Sequence, residues 1–366
     1  MANFVKGTCQ KSTATDMKER RNALWGSISM AAMLLLLCAS CRKAPQWRLA
    51  QGAVWNTTYR IVYNSPEDLS DSIQAVMSAI EMSLSPFNEH SLISRINRNE
   101  TDSTDALIDT VFAISREVSH ATGGRFDPTV SPLVNLWGFG YDRQARRAME
   151  EAGDSPDFIV PRENIDSALR LVGIGDCRID NHRIVKKHPS TTFNFSAVTK
   201  GFGCDMIADM LRRNGSDNHM VEIGGEIALD GHNPEGETWR IQIDTPQPDE
   251  AGIPHHEALQ IVRLTERHGV ATSGNYRNFH TTARYGRIGH TIDPVSGMPV
   301  HTDVASATII APTAALADAW ATACMASDAD SALRAVNSTD GIECLLVRIA
   351  PDSTFSTLPS ANFPSR

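Results

Sequence analysis

The sequence predicts an α+β fold of the mixed α/β kind, formed by one unit that can divide into two subdomains around a cleft. Hydrophobic residues make up 41% of the 366 positions, which is enough for one large core or two modest ones. Helical and strand patterns mix without a strict βαβ rhythm, and this argues against a doubly wound parallel sheet. The chain shows no internal repeat.

Apolar residues at three- and four-residue steps predict the helices, and partly alternating apolar residues predict the strands. The predicted helices cover 66–84, 105–121, 199–213, 313–327 and 328–336, with a further polar helix inside 141–165. The predicted strands cover 52–63, 177–187, 219–230, 238–244, 258–263 and 303–311. We expect a linker at 41–50, the main domain at 51–340, and a terminal strand with a loose tail at 341–366.

Residues 1–40 have the parts of a secretory signal of the lipoprotein type. Basic residues precede an apolar stretch from Ile28 to Leu37, which is shorter than the roughly 20 residues that span a bilayer. Small residues stand directly before Cys41, as in a bacterial lipoprotein box, and this predicts lipidation of Cys41. The alternative is a soluble exported protein cut near the same place.

Charge and missing motifs exclude several functions. A formal charge of −9 argues against unspecific binding of DNA or RNA, which requires neutralisation of phosphates. The cysteines after residue 41 form no CxxC pair, which argues against a metal-thiolate site. Cys324 and Cys344 are candidates for a disulfide, with free buried thiols as the alternative. The chain has no P-loop, and Met206 replaces the last glycine of a dinucleotide fingerprint that begins at Gly201.

Two segments have a composition typical of ligand-binding loops. Glycines and prolines are dense from Gly123 to Pro132, where the chain must turn or approach a ligand closely, and the segment continues to Gly140. Aromatics in such a loop, such as Phe126 and Trp137, can stack on a flat ligand. A structural loop is the alternative. From Asn194 to Gly203 a helix is predicted to begin at Lys200, where free N–H groups and the ammonium suit a phosphate. An ordinary helix start is the alternative.

Two further segments contain acidic or basic side chains beside glycines. Gly224 and Gly225 interrupt a strand pattern next to Glu226, which indicates a bulge or a close backbone approach. The alternative is a bulged strand with Glu222 and Glu226 facing solvent. His290 and Asp293 stand close enough in sequence for acid–base chemistry. The Asp293–Gly297 segment is also typical of a type I turn on its own.

The segment from Thr313 to Asp328 predicts a buried helix with one acid in its middle. Thr313 is suited to the N-cap, and almost every face of the helix is apolar. A buried, unpaired Asp318 is costly unless a cation neutralises it. Thr322 lies one turn further on the same face, and such oxygen ligands suit Mg²⁺ or Ca²⁺. The alternative is that Asp318 pairs with an arginine or caps a neighbouring loop.

Taken together and in this order, these segments resemble the FAD:protein FMN transferase family (ApbE-type flavin transferases). The resemblance covers roughly residues 50 to 335. It rests on several spread motifs: Trp55-Asn56-Thr57-Thr58-Tyr59, Ser85-Pro86-Phe87-Asn88, Phe126 to Gly140, Asn194 to Gly201, Gly224-Gly225-Glu226, Ala271 to Asn278, and His290 to Gly297.

The resemblance implies a set of site residues around a flavin cleft. The residues that it implies for FAD contact are Trp55, Phe87, Arg125, Phe126, Asp127, Asn194, Lys200 and Ile292. The metal site carries over to the Ala197 carbonyl, Asp318 and Thr322. On family position and nearness in sequence, His290 or Asp293 is the candidate proton acceptor.

The resemblance also implies the reaction and its setting. Family members cleave FAD at its diphosphate, transfer FMN to a Ser or Thr hydroxyl of a target flavoprotein and release AMP. The expectation for this chain is a Mg²⁺-dependent transferase, anchored to a membrane of the cell envelope, facing the periplasm and acting on respiratory flavoproteins. The alternatives are an FAD pyrophosphatase that yields FMN and AMP, and a flavin-binding lipoprotein without turnover.

Overall fold

The computed structural model describes residues 45–140, 144, 146–147, 151, 160–246, 257–274, 279–282, 286–350 and 354–364. Its helices are α1 (Ser70–Leu84), α2 (Leu92–Asn97), α3 (Ala106–Ala121), α4 (Ser131–Leu136), α5 (Arg162–Leu169), α6 (Ser196–Arg213), α7 (Ala314–Met325) and α8 (Ala329–Asn337). None of the helices in these ranges is long and apolar enough to cross a membrane.

The strands are β1 (Gln46–Val54), β2 (Thr57–Ser65), β3 (Arg178–Asp180), β4 (Arg183–Val185), β5 (His219–Ile223), β6 (Glu226–Asp230), β7 (Trp239–Asp244), β8 (Ala258–Leu264), β9 (His268–Gly274), β10 (Phe279–Thr282), β11 (Gly286–Gly289), β12 (Val304–Ala311), β13 (Glu343–Ile349) and β14 (Phe355–Pro359). All of them from Trp47 onward belong to one compact unit of the chain. The predicted α+β class is confirmed.

A sheet of eight strands is the frame of the molecule. Its order is β1-β2-β5-β6-β9-β12-β13-β14, and neighbouring strands from β2 onward pair antiparallel. Side chains alternate between its two faces, since Ile61 packs among residues of α1 and α6 while Val62 packs among residues of β7 and β8. Helices therefore cover one face and the β7–β8 hairpin covers the other.

Helices α6 and α7 approach each other so closely that only glycine fits at their contact. A Cβ at Gly201 would overlap the carbonyl of Ala314, and a Cβ at Gly269 of β9 would overlap the backbone at the start of α7. The small side chains of α7, which is largely alanine, permit this approach. The contact brings the middle of α7, with Asp318, against the first turns of α6.

Three segments predicted as single strands are hairpins, and one of them is 177–187, which is divided at Asn181 and His182 into β3 and β4. The predicted strand at 52–63 is divided by a turn at Trp55 and Asn56, both of which have positive φ. The predicted strand at 219–230 is divided at Gly224 and Gly225, which also have positive φ. Two-residue turns of this kind match the twist of antiparallel strands, and the alternation of apolar residues continues across them. The sequence pattern therefore does not reveal the turn.

Several boundaries differ from the prediction. Strand β1 begins at Gln46, inside the predicted linker 41–50, and β14 pairs with β13 inside the tail predicted to be loose. Helix α6 begins at Ser196 rather than at residue 199, so Lys200 lies in its second turn and not at its N-terminus. The short helices α2 and α4 lack the length that produces a periodic pattern.

Some predictions concern residues outside the described ranges or remain open. The signal segment 1–40, Cys41 and the motif residues Tyr276, Arg277 and Asn278 lie outside the described residues. Of the alternatives for the cysteines, the described chain has free thiols, because Cys177, Cys204, Cys324 and Cys344 are all buried and unbridged.

Candidate active site

Two neighbouring cavities hold most of the predicted site residues. The first has a volume of about 590 Å³ and is lined, among others, by Arg125, Phe126, Asp127, Asn194, Ala197, Lys200, His290, Ile292, Asp318 and Thr322. The second has a volume of about 500 Å³ and is lined by Trp55, Phe87 and residues of α1. Ser196 and Lys200 line both cavities, so the start of α6 is common to the two.

Asn194 fixes the start of α6 and joins it to the Gly/Pro-rich loop. Its Oδ1 accepts a hydrogen bond of 3.0 Å from the Ser196 N–H, and its own N–H donates to the Pro128 carbonyl at 2.8 Å. An Asx interaction of this kind organises a helix N-terminus. The geometry gives the Asn194 side chain this positioning role at the wall of the first cavity.

Three charged side chains meet beneath the shared wall. The Lys200 ammonium forms an ion pair with Oε1 of Glu226, the first residue of β6. Asp318 Oδ2 accepts a hydrogen bond of 3.1 Å from the N–H of Gly201. Asp318 is 3% exposed and Glu226 is 4% exposed, so both carboxylates are screened little by water.

Burial and mutual repulsion shift the protonation of this cluster. Burial, followed by the nearby charge of Asp318, raises the pKa of Glu226 to about 8, against the opposing effect of Lys200. Burial also raises the pKa of Asp318, although Lys200 and the Gly201 N–H oppose the shift. Burial by itself would lower the pKa of Lys200, but the charges of Asp318 and Glu226 outweigh it and raise that pKa. One proton or one cation therefore stabilises the group.

The predicted metal ligands lie on the wall of the same cavity. Asp318 and Thr322 stand one turn apart on α7, and Ala197 is in the first turn of α6. In the described chain no group of three or more His, Cys, Asp or Glu side chains could hold a metal ion. A carboxylate, a hydroxyl and a carbonyl form a partial set of hard oxygen donors. Such a set fits Mg²⁺, which takes part of its shell from water and from phosphate oxygens.

The contacts of Asp293 indicate a role different from the predicted proton transfer. Its Oδ2 lies 2.8 Å from Nη1 of Arg125, and its two oxygens accept N–H bonds from Val295 and Ser296 in the turn that ends at Gly297. A carboxylate that is held in this way orients Arg125 toward the first cavity. The geometry therefore assigns Asp293 to positioning rather than to proton transfer.

His290 is the remaining candidate for proton transfer. It is exposed and lines the first cavity two residues before Ile292, which is buried at 4% exposure in the adjoining core cluster. Ile292 thus fixes the backbone of the segment, while the imidazole of His290 lies at the rim of the cavity. An exposed imidazole at a rim can reach a macromolecular substrate.

The loop around Phe126 is a structural wall. Phe126 is 3% exposed and packs in the main core cluster, so its ring is not available to stack on a ligand. Asp127 accepts bonds from Thr129 through Oδ1 and from the N–H of Ile174, at 2.9 Å, through Oδ2. Trp137, predicted as a loop aromatic, is fully buried and donates to the Gly297 carbonyl. These residues shape the first cavity by fixing its backbone.

Trp55 and Phe87 face the second cavity. Trp55 is half-buried at the β1–β2 turn, close enough to α6 that a Cβ at Gly203 would contact its ring. Phe87 is 71% exposed and lines this cavity. The two aromatics give this cavity a surface suited to a flat ring.

Sequence reasoning missed three polar residues that line the first cavity. Glu226 was given a solvent-facing alternative but is buried, and Gln242 and Asp244 of β7 were not singled out. The Gly-Gly pair before Glu226 was the available signal, because glycines inside a strand pattern indicate a close backbone approach. The alternation in β7 gave no indication of its place at the cavity.

Comparison with known proteins identifies the family of this chain. A family model described as the ApbE family matches residues 55–346. The FAD:protein FMN transferase of Vibrio cholerae serotype O1 is 30% identical over 345 residues, with 92% of this chain and 97% of the relative covered. The FAD:protein FMN transferase of Escherichia coli K12 is 32% identical over 306 residues, with 81% of each chain covered.

Solved structures agree in fold. The structure described as flavin transferase ApbE from Vibrio cholerae matches with a TM-score of 0.73 at 29% identity, over 87% of this chain and 98% of that one. The apo form of the Pseudomonas stutzeri flavinyl transferase ApbE matches with a TM-score of 0.72 at 27% identity, over 87% and 95% of the two chains. The sequence match over residues 55–346 establishes that this chain belongs to the ApbE family.

Proposed function

We propose that this protein transfers the FMN moiety of FAD to a Ser or Thr hydroxyl of target flavoproteins and releases AMP. The observation that carries the proposal is the pair of cavities that share Lys200 and Ser196. A dinucleotide has two bulky ends and an anionic centre. Two cavities that adjoin at the half-buried Lys200 ammonium match that distribution of shape and charge.

Each end of FAD has a fitting surface. The flavin ring stacks on Trp55 and Phe87 in the second cavity, since exposed aromatics offer a flat apolar face. The adenosine end occupies the first cavity near Arg125, whose guanidinium Asp293 holds in place. The diphosphate then lies at the start of α6, where Lys200 supplies a positive charge at the wall that the two cavities share.

Mg²⁺ fits the oxygen donors Ala197 O, Asp318 and Thr322 at this place. When bound, it supplies charge neutralisation for the diphosphate oxygens. The protein contributes one carboxylate, one hydroxyl and one carbonyl, and the substrate oxygens complete the shell. The burial of Asp318 makes a cation there worth more than it would be at the surface.

The transfer step requires a proton acceptor. The acceptor hydroxyl oxygen forms a bond to the phosphorus of the FMN half, the P–O bond to the AMP phosphate breaks, and AMP leaves with the bridging oxygen. The hydroxyl proton passes to His290, which lies at the rim where an incoming protein can reach. Asp293 does not compete for this role because its oxygens are already bonded.

The setting of the enzyme is part of the proposal. Lipidation at Cys41 would hold the enzyme at a membrane of the cell envelope, on the periplasmic side, with more than one acyl chain needed for firm anchoring. Respiratory flavoproteins of that membrane are then the acceptors, because restriction to one layer raises the effective concentration.

The test combines the purified protein, FAD, Mg²⁺ and an acceptor flavoprotein domain that carries the target Ser or Thr. A covalent mass gain equal to FMN on the acceptor, with stoichiometric AMP, supports the transferase. Free FMN and AMP at the same rate without acceptor would indicate a pyrophosphatase, and bound but unchanged FAD a binding protein. Replacement of the acceptor hydroxyl by alanine is the control.

A further inference from the structure

The Gly-Gly-Glu turn contains a buried acid that the proposed reaction does not use. Gly224 and Gly225 form the two-residue turn between β5 and β6 with positive φ, and Glu226 follows as the first residue of β6. This turn directs the Glu226 carboxylate inward, where it is 4% exposed and lines the first cavity. A buried acid at a cavity wall is costly, so its retention calls for a specific role.

Only one of the two carboxylate oxygens of Glu226 has a polar partner among the described residues. One carboxylate oxygen, Oε1, pairs with the Lys200 ammonium. The other, Oε2, is buried and has no hydrogen-bond partner among the residues that the structure describes. A carboxylate that served only to join β6 to α6 would have both oxygens bonded, because an orphaned buried oxygen destabilises the fold. The carboxylate therefore serves the charged cluster rather than the packing of the fold.

Glu226 and Asp318 compete for one ammonium. Lys200 makes its direct ion pair with Glu226. Within the described chain, Asp318 makes no direct ion pair, and Lys200 acts on it only as a charge at longer range. Its Oδ2 accepts the Gly201 N–H. A direct pair between Lys200 and Asp318 would place the ammonium where a cation is expected.

We propose that Glu226 is a positioning residue that holds the Lys200 ammonium away from Asp318 and so keeps the Asp318 carboxylate available to a divalent cation. The inference rests on the cation site of the proposed function. It adds to that site a residue that touches neither the cation nor the diphosphate. Without the charge of Glu226, the Lys200 ammonium turns to Asp318 and competes with the cation.

At about pH 9, above the pKa of about 8 of the Glu226 carboxyl, Glu226→Gln removes a negative charge and keeps the size of the side chain. We expect the dissociation constant for Mg²⁺ or Mn²⁺, measured on the FAD-free protein, to rise about tenfold. In the double variant Glu226→Gln with Lys200→Met the competing ammonium is absent, so the affinity returns to that of the wild type or exceeds it. Lys200→Met alone, with two uncompensated carboxylates, binds the cation more tightly than the wild type.

The measurement is isothermal titration of the purified full chain with Mn²⁺, repeated with Mg²⁺. Glu222→Gln is the matched control, since Glu222 stands on the partner strand of the same hairpin and makes no ion pair in the described chain. We expect this control to bind the cation as the wild type does. Far-UV circular dichroism confirms that each variant is folded.

Two results overturn the inference while the proposed function stands: unchanged cation affinity in Glu226→Gln, or weaker binding in Lys200→Met. The Lys200→Met measurement still decides the inference if Glu226→Gln fails to fold. If the wild type binds no divalent cation, the cation site of the proposed function and the inference are both wrong. The flavin-transfer assay tests the reaction separately, so the failures are distinguishable.

Discussion

Two buried aspartates lie at the same contact between α6 and α7, and they differ in how they are satisfied. Asp205 of α6 is 9% exposed, and its two oxygens accept the N–H groups of Ala314 at 2.9 Å and Ala315 at 2.8 Å. Asp318 of α7 is 3% exposed and accepts one N–H, from Gly201. The first holds the end of α7 in place, whereas the second keeps capacity for a ligand.

Because both aspartates are buried, burial alone does not identify a functional acid. Burial raises the pKa of both carboxyls, that of Asp205 to about 7. What separates them is the number of backbone donors that the fold supplies, which is two for Asp205 and one for Asp318. Substitutions at this contact should therefore separate loss of activity from loss of stability.

Asp318→Ala should have the largest effect, and on activity. We expect FMN transfer to fall by about 10³-fold, because the only carboxylate among the cation donors is lost. The melting temperature should stay the same or rise, because a costly buried charge is removed. The rate of covalent flavin attachment and a thermal melt measure the two effects. Undiminished Mg²⁺-dependent transfer would contradict the assignment.

Asp205→Asn should act on stability in a pH-dependent way. The native carboxyl binds its proton more tightly than the unfolded chain, since its pKa rises from 3.8 to about 7. The stability that this shift contributes is therefore complete below about pH 4 and is lost as the pH rises to 7. The advantage of the wild type over the variant in urea unfolding should shrink over that window by up to about 4 kcal/mol. A constant difference would contradict the shift.

Gly201→Ala tests the closeness of the helices. The added methyl group would overlap the Ala314 carbonyl, so the two helices must separate. We expect a loss of about 1–3 kcal/mol in the free energy of unfolding. Gly175→Ala is the control, because a Cβ at that position meets no atom within 4 Å. Equal stability of the two variants would show that the contact is looser than described.

Phe87→Ala should have the smallest effect, confined to FAD binding. The ring is 71% exposed and faces the second cavity, so its removal costs stacking but no core packing. We expect the KM for FAD to rise about tenfold with little change in kcat or melting temperature. Phe87→Tyr keeps the stacking face and should behave as the wild type. An unchanged KM for FAD in the alanine variant would place the flavin ring elsewhere.

The sequence predicted those helices, strands and site residues whose local patterns are long and regular. Asp318 stood out because a single acid interrupts an apolar helix, and that helix is observed at Ala314–Met325. Asp205 could not be found in this way, because its partners are backbone groups of a helix more than a hundred positions away. Roles that depend on such partners are properties of the packing and not of the local pattern.

The aromatic and acidic residues of the loops show the same limit. Phe126 and Trp137 looked like ligand contacts in a Gly/Pro-rich loop, yet both are buried in the core. Asp293 looked like a base, but Arg125 and a turn occupy its oxygens. In each case the residue type and spacing were compatible with two roles, and only the three-dimensional neighbours decide between them.

The order of the strands delays the assembly of the catalytic centre during synthesis. Tyr59 of β2 pairs with Ile223 of β5, and β9 lies between β6 and β12, so the sheet closes through contacts that are far apart in the chain. Pairings of this kind form slowly, because long loops must close first. Until α7 has left the ribosome, the nascent chain lacks part of the proposed cation site, and its sheet is incomplete. The first cavity is therefore incomplete in the partly made protein until α7 has been synthesised.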